Sequence, residues 1–173
     1  GIAPRSIYLH ATNLTEKLNA AAAEYAQEYD YIQFAADDVR YRTPGWDARM
    51  TTIMREEHLA FAYANDGARN DLANHVFADT RAVRALGWFA LPGSKHLYLD
   101  DAWGALGKAA GAIRYVPDVF IEHLHPLYGK AAMDASYMET NSPQRYDEDR
   151  QAFVHWVQTS LDADAEKIRA AMA

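Results

Sequence analysis

Gln33-Phe34-Ala35-Ala36-Asp37-Asp38-Val39 is an apolar run that delivers two adjacent carboxylates into a loop. The apolar residues at 31–35 have the length and composition of a buried strand, and a strand end holds whatever follows it on a fixed backbone. Hard divalent cations that accompany phosphates need carboxylate oxygens held in that way. A pair of aspartates after a strand also serves as a turn or a helix cap. The stretch therefore takes its meaning from its surroundings.

Upstream, residues 6–11 read as a short strand. Asn13 followed by Glu16 has capping-box spacing ahead of an Ala-rich helix with Leu14, Leu18, Ala22 and Tyr25 on one face. Downstream, Pro44-Gly45 turns the chain into a helix carrying Met50, Ile53 and Met54 at core spacing. Residues 59–63 form the next apolar strand, which ends at Asn65-Asp66-Gly67, so acidic residues again follow a strand's carboxyl end. Residues 75–78 read as a strand, Asp79 or Thr80 as the cap of a short helix, and Gly87 as its stop. Short strands are expected at 88–91 and 97–99, with Asp100-Asp101 opening a helix that runs through Ala110. A last strand at 119–124 precedes a long C-terminal helix begun by Ser142-Pro143, with proline at the first helical position.

Strands alternating with helices predict an α/β fold, a mostly parallel sheet covered by helices on both faces, with ligands at the carboxyl ends of the strands. Asp37, Asp38, Asp66 and Asp100 fall where that rule puts a site.

The 173 residues fit one domain, without internal repeat, low-complexity tract or Gly/Ser linker. With no cysteine, thiolate chemistry and cysteine-bound zinc are excluded, and any metal must sit on Asp, Glu, His or Asn. No run approaches the roughly 18 apolar residues of a membrane span, and the first residues lack a basic-then-apolar signal; a cytoplasmic protein is expected. The net charge of -7 disfavours a polyanionic nucleic-acid partner, although Arg40, Arg42 and Arg49 form a small basic cluster. His123 and His125, two apart on a strand, project to one face while Glu122 projects to the other. Asp100 and Asp101 sit at a helix start, where carboxylates are favoured. His58, His75 and His96 have no spacing that reads as chemistry.

Several stretches together carry a family likeness. They are Asp37-Asp38-Val39-Arg40-Tyr41-Arg42-Thr43-Pro44-Gly45-Trp46-Asp47, Ala62-Tyr63-Ala64-Asn65-Asp66, Arg84-Ala85-Leu86-Gly87-Trp88-Phe89, His96-Leu97-Tyr98-Leu99-Asp100-Asp101-Ala102-Trp103, and the run from Tyr115-Val116-Pro117 to Glu122-His123-Leu124-His125-Pro126. In this order, over roughly residues 17–160, the chain resembles family 2 glycosyltransferases of the GT-A type, especially a phage and actinobacterial branch.

The resemblance implies a partial GT-A, Rossmann-like domain over residues 1–173. It also implies a metal-dependent inverting transfer of a sugar from a nucleotide-sugar to a hydroxyl acceptor. Ala36-Asp37-Asp38 occupies the family's Asp-x-Asp position with Ala in place of the first acid. Asp38, with His123 or His125, is then expected to hold Mn²⁺ or Mg²⁺, since imidazole and carboxylate suit such ions. Asp37, Arg40 and Arg42 are expected on the nucleotide diphosphate. Asp100 or Asp101 is expected as general base, with Asp100 preferred for its i, i+3 relation to Trp103. Asp66 lines the acceptor side or is a turn residue; Trp46, Trp88 and Trp103 mostly pack, with Trp88 best placed to stack on a sugar. Only one strand and one helix precede Asp37, and Gly1 is not an initiating Met. The expectation is a domain N-terminally truncated relative to the family, its open sheet edge covered by a second copy. The alternative is a non-catalytic binding or structural module derived from such an enzyme, phage-encoded and working in the host cytoplasm.

Overall fold

The structure is a computed structural model and describes residues 10–173. In chain order the described residues form α1 (Leu14–Tyr25), β1 (Tyr31–Gln33), β2 (Val39–Tyr41), α2 (Trp46–Glu56), β3 (Phe61–Asn65), β4 (Phe77–Asp79), α3 (Thr80–Leu86), α4 (Leu99–Ala110), β5 (Ile113–His123), a 3-10 turn (Pro126–Tyr128), α5 (Ala135–Thr140), α6 (Pro143–Thr159) and α7 (Leu161–Met172). The strands make one sheet in the order β1-β4-β3-β5-β2.

The fold is α/β, but the sheet is mixed rather than mostly parallel. Only β3 and β5 pair in parallel; β4 is antiparallel to both β1 and β3, and β2 is antiparallel to β5. It follows that β1, β3 and β5 all point one way, with β4 reversed between the first two. The carboxyl ends of three strands and the amino end of β4 therefore share one edge of the sheet. Hydrophobic pattern reports burial and not strand direction, which is why the reversal was invisible in the sequence.

Both faces are covered. Phe61 and Tyr63 of β3 join the larger core with Trp103, Leu106, Val83 and Ile168, whereas Ala62 and Ala64 join Met50 and Met54 of α2 on the opposite face. That alternation is the two-residue period of a strand buried on both sides. Caps set the helix starts largely as the sequence predicts. Asn13 Oδ1 accepts from the Glu16 N–H at 2.9 Å, Asp79 caps α3, and Gly87 ends it at φ 79°. The Glu16 carboxylate reaches Thr12 N–H instead of closing the box on Asn13.

β5 is longer than predicted and is bent in its middle. Its register with β3 jumps between Ala64↔Val116 and Asn65↔Phe120. Pro117 lies in that gap and has no N–H to give to a ladder. Beyond the irregularity, residues 121–123 pair with β2, a strand where the sequence predicts a loop. Three half-exposed residues carry no readable alternation.

Residues 88–91 and 97–99 do not form the predicted strands. Their backbone is held by side chains: Asn19 accepts from Phe89 and Ala90 N–H and donates to the Ala90 carbonyl. The predicted long C-terminal helix is two helices broken at Ser160. Of the predicted strand at 6–11, residues 6–9 lie outside the described residues, and His10 and Ala11 belong to no strand or helix.

α4 approaches the start of β5 at Gly107, where an added Cβ would lie 2.5 Å from Ile113 Cβ. Gly107→Ala is expected to lose about 1–3 kcal/mol through overpacking, despite the better helix propensity of alanine. Gly104→Ala, where the nearest atom is Ala73 Cβ at 4.0 Å, is expected to be neutral or slightly stabilising. Thermal melts of the two variants read the difference.

Candidate functional site

The shared sheet edge gathers the chemistry. β1 runs on past Gln33, with Phe34 N–H bonded to the Val76 carbonyl at 3.0 Å, and releases Asp37 and Asp38 at the edge. Asp38 is fixed twice: its carbonyl accepts from Leu124 N–H at 2.8 Å, and its Oδ2 meets His123 Nε2 at 3.1 Å. Beyond the irregularity in β5, His123 lies in register with Val39 of β2 while its N–H donates to the carbonyl of Asp66, just past β3, at 3.0 Å.

His75 lies two residues before the reversed strand β4 and lines the same cleft as His123. Its ring is 4.7 Å from that of His123, edge to face, and the residue is only 5% exposed. Its backbone adopts φ 50°, an uncommon setting for a residue with a side chain. Burial pushes the His75 imidazole down to about 4, with His123 adding to the shift, so the ring is neutral over the physiological range. His125 lies 4.8 Å from His123 ring to ring, and its Nδ1 accepts from Leu127 N–H. Burial lowers its pKa as well.

The start of α4 supplies the second half of the site. Asp149 of α6 is fully buried, and its carboxylate accepts three backbone N–H groups, from Lys95 at 2.7 Å, His96 at 2.9 Å and Leu97 at 2.7 Å. Tyr98 then takes a left-handed turn at φ 62°, its ring stacked on Phe153, and Asp100 and Asp101 follow in the first helical turn. Burial, reinforced by the neighbouring Asp101, raises the Asp100 carboxyl to about 6. Burial also raises Asp101, against the pull of Arg69. Removing Asp149 strands three donors. Asp149→Ala is therefore expected to cost at least about 3 kcal/mol and to free the 95–97 amides, a loss measurable by urea unfolding and by hydrogen exchange.

A cleft of about 740 Å³ joins the two halves; Asp37, Asp38, His123 and His125 line it together with Asp100, Asp101, Trp103 and His75. Six of the expected site residues thus share one cavity, and the others lie elsewhere. Asp66 is a buried turn residue whose Oδ1 accepts from Ala68 and Arg69 N–H and whose Oδ2 accepts from Asn74. Arg42 is engaged by Glu122 at 2.7 Å, and Arg40 is exposed on β2 opposite Glu122. Arg49 pairs with Asp118. Trp88 packs edge to face on Trp156, at 6.0 Å.

Residues passed over in the sequence also line the cleft. Arg69, bonded to Asp71 at 2.9 Å through both Nε and Nη2, stands beside the acidic pair. Tyr98, Tyr137 and Tyr146 form an aromatic wall. His75 had one usable signal, its place directly before the apolar triplet Val76-Phe77-Ala78, but that marks a site only once the strand is known to run backwards.

Among the described residues, no three His, Asp or Glu side chains are converged as a finished metal centre, and no helix is long and apolar enough to cross a membrane. No protein-family model, no curated protein and no solved structure matches the chain.

Proposed function

We propose that the chain is the catalytic segment of a metal-dependent inverting glycosyltransferase, moving a sugar from a nucleotide-sugar donor to a hydroxyl acceptor. The observation that carries this reading is one cleft lined both by the Asp38–His123 pair and by Asp100.

The residues fit a divalent cation. Asp38 Oδ2 and His123 Nε2 approach to 3.1 Å, Asp38 Oδ1 is buried without a hydrogen-bond partner, and a carboxylate with an imidazole is a donor set suited to Mn²⁺. Asp38 would hold the ion with one of the cleft histidines, His123 or His125. When bound, a divalent cation supplies positive charge against a departing diphosphate. Asp37, exposed and lining the cleft, would meet the nucleotide side of the donor.

Asp100 performs the proton chemistry. Its raised pKa matches the demand on a general base near neutral pH. Asp100 takes the proton of the acceptor hydroxyl as that oxygen bonds to the anomeric carbon and the bond from that carbon to the diphosphate oxygen breaks. Attack opposite the leaving group inverts the anomeric configuration. Trp103 keeps the floor of the cleft rigid, fully buried with its Nε1 donating to the Phe89 carbonyl at 2.6 Å.

The test is to incubate the protein with Mn²⁺ and a panel of nucleotide-sugars, each with simple alcohols and saccharides as acceptors. Release of nucleoside diphosphate, with a product of opposite anomeric configuration by NMR, is expected for at least one donor. No release and no thermal stabilisation by any donor would instead favour the non-catalytic binding module.

A further inference from the structure

The buried side-chain atoms without a hydrogen-bond partner, among the described residues, are Asp38 Oδ1, His123 Nδ1 and both ring nitrogens of His75. All four belong to three residues in one contact cluster: Asp38 touches His123 at 3.1 Å, and His123 meets the His75 ring at 4.7 Å. Buried polar atoms are almost always paired. A cluster that concentrates every exception is therefore arranged for something that supplies the missing partners. His75 adds two further marks of a binding residue, near-complete burial and a left-handed backbone. By contrast, His125 already uses Nδ1 to accept from Leu127 N–H.

We infer that His75 is a further protein ligand of the cation held by Asp38 and His123, and that this second imidazole makes the site select a transition ion over magnesium. The inference rests on the cation-binding reading of Asp38 and His123. Neutral imidazole nitrogen is a favourable donor for Co²⁺, Mn²⁺ or Zn²⁺, whereas Mg²⁺ keeps to oxygen and water. No hydrogen bond is broken when the His75 ring turns to complete a donor set that is not yet converged.

Titration with Co²⁺ alone, followed by its visible absorption, tests this on the full chain, with Mg²⁺ binding read by thermal shift. The unaltered protein is expected to bind Co²⁺ at least about tenfold more tightly than Mg²⁺. His75→Phe, which keeps a ring without donors, is expected to weaken Co²⁺ by about 10- to 100-fold, at least as much as loss of a supporting residue. It should also alter the absorption bands and leave Mg²⁺ binding little changed. His155→Gln, exposed on α6 and outside the cleft, is expected to leave the Co²⁺ spectrum intact. Should His75→Phe fail to fold, His75→Gln gives the same readout.

Wild-type Co²⁺ affinity and bands in a folded His75 variant would overturn the role of His75 while leaving the cation site standing. A preference for Mg²⁺ in the unaltered protein would overturn the selectivity. If Asp38→Asn and His75→Phe both leave Co²⁺ binding untouched, the cation reading itself fails, and the inference fails with it.

Discussion

Asp100→Asn is expected to abolish sugar transfer while making the protein more stable above pH 6. The catalytic half follows from losing the group that takes the acceptor proton, a loss of about 10²- to 10⁴-fold in rate. The stability half follows from linkage. Burial and the adjacent Asp101 raise the Asp100 carboxyl from 3.8 to about 6, so the folded state holds this proton more tightly than the unfolded chain. Stability therefore falls as pH rises from about 4 to about 6 and is then level, at a cost on the order of 2–3 kcal/mol. Asparagine removes the charge and with it the cost. The variant should match the unaltered protein below pH 4 and exceed it above pH 6, as melts across that range would show. Asp101→Asn is expected to retain more activity and to move the rising limb of the pH–rate profile to lower pH, because Asp101 helps to raise Asp100. A fully active Asp100→Asn protein, or one whose melts track the unaltered protein at every pH, would remove Asp100 from the role.

Asp38→Asn is expected to erase stabilisation by Mn²⁺. An ion present at 100 times its dissociation constant adds about 2.7 kcal/mol, which for a chain of this length raises Tm by roughly 5–10 °C. Without the ion, the substitution changes a part-buried contact with His123 at 3.1 Å that an asparagine amide can still make, at a cost on the order of 1 kcal/mol. The Asp38 backbone stays clamped by Leu124. The expected pattern is thus a variant that melts nearly as the unaltered protein does without metal and does not respond when Mn²⁺ is added. A Tm rise equal to that of the unaltered protein would place the ion elsewhere.

Local signals carried much of the fold. Met50 and Met54 at helical spacing gave α2 and its buried face, Asp79 and Gly87 gave both ends of α3, and Asp100-Asp101 marked the start of α4 to within one residue. The rule that ligands gather at strand carboxyl ends pointed to Asp38, which follows β1 and lines the cleft because β1, β3 and β5 remain co-oriented around the reversed β4. Asp100 reaches the same cleft from the first turn of α4, since residues 97–99 form no strand.

What was not legible depends on partners distant in the chain. Residues 88–91 and 97–99 look like strands because they are apolar, but Phe89 and Ala90 are bonded by Asn19 and Leu97 by Asp149, roughly 50 to 70 residues away. Asp66 looked equally like a site residue and a turn, and only its bonds to Ala68, Arg69 and Asn74 assign it to the turn. His75 had no meaningful spacing to any other histidine. Its relevance arises from the reversal of β4, which brings the amino end of that strand beside the carboxyl end of β5.

Anomalous diffraction from crystals grown with Mn²⁺ and a nucleoside diphosphate would locate the ion directly. The expected map has one strong peak within coordination distance of Asp38 and His123, with the diphosphate on its open side and the Asp100 carboxylate facing the same space. A peak away from Asp38, or none at saturating Mn²⁺, would contradict the proposed site.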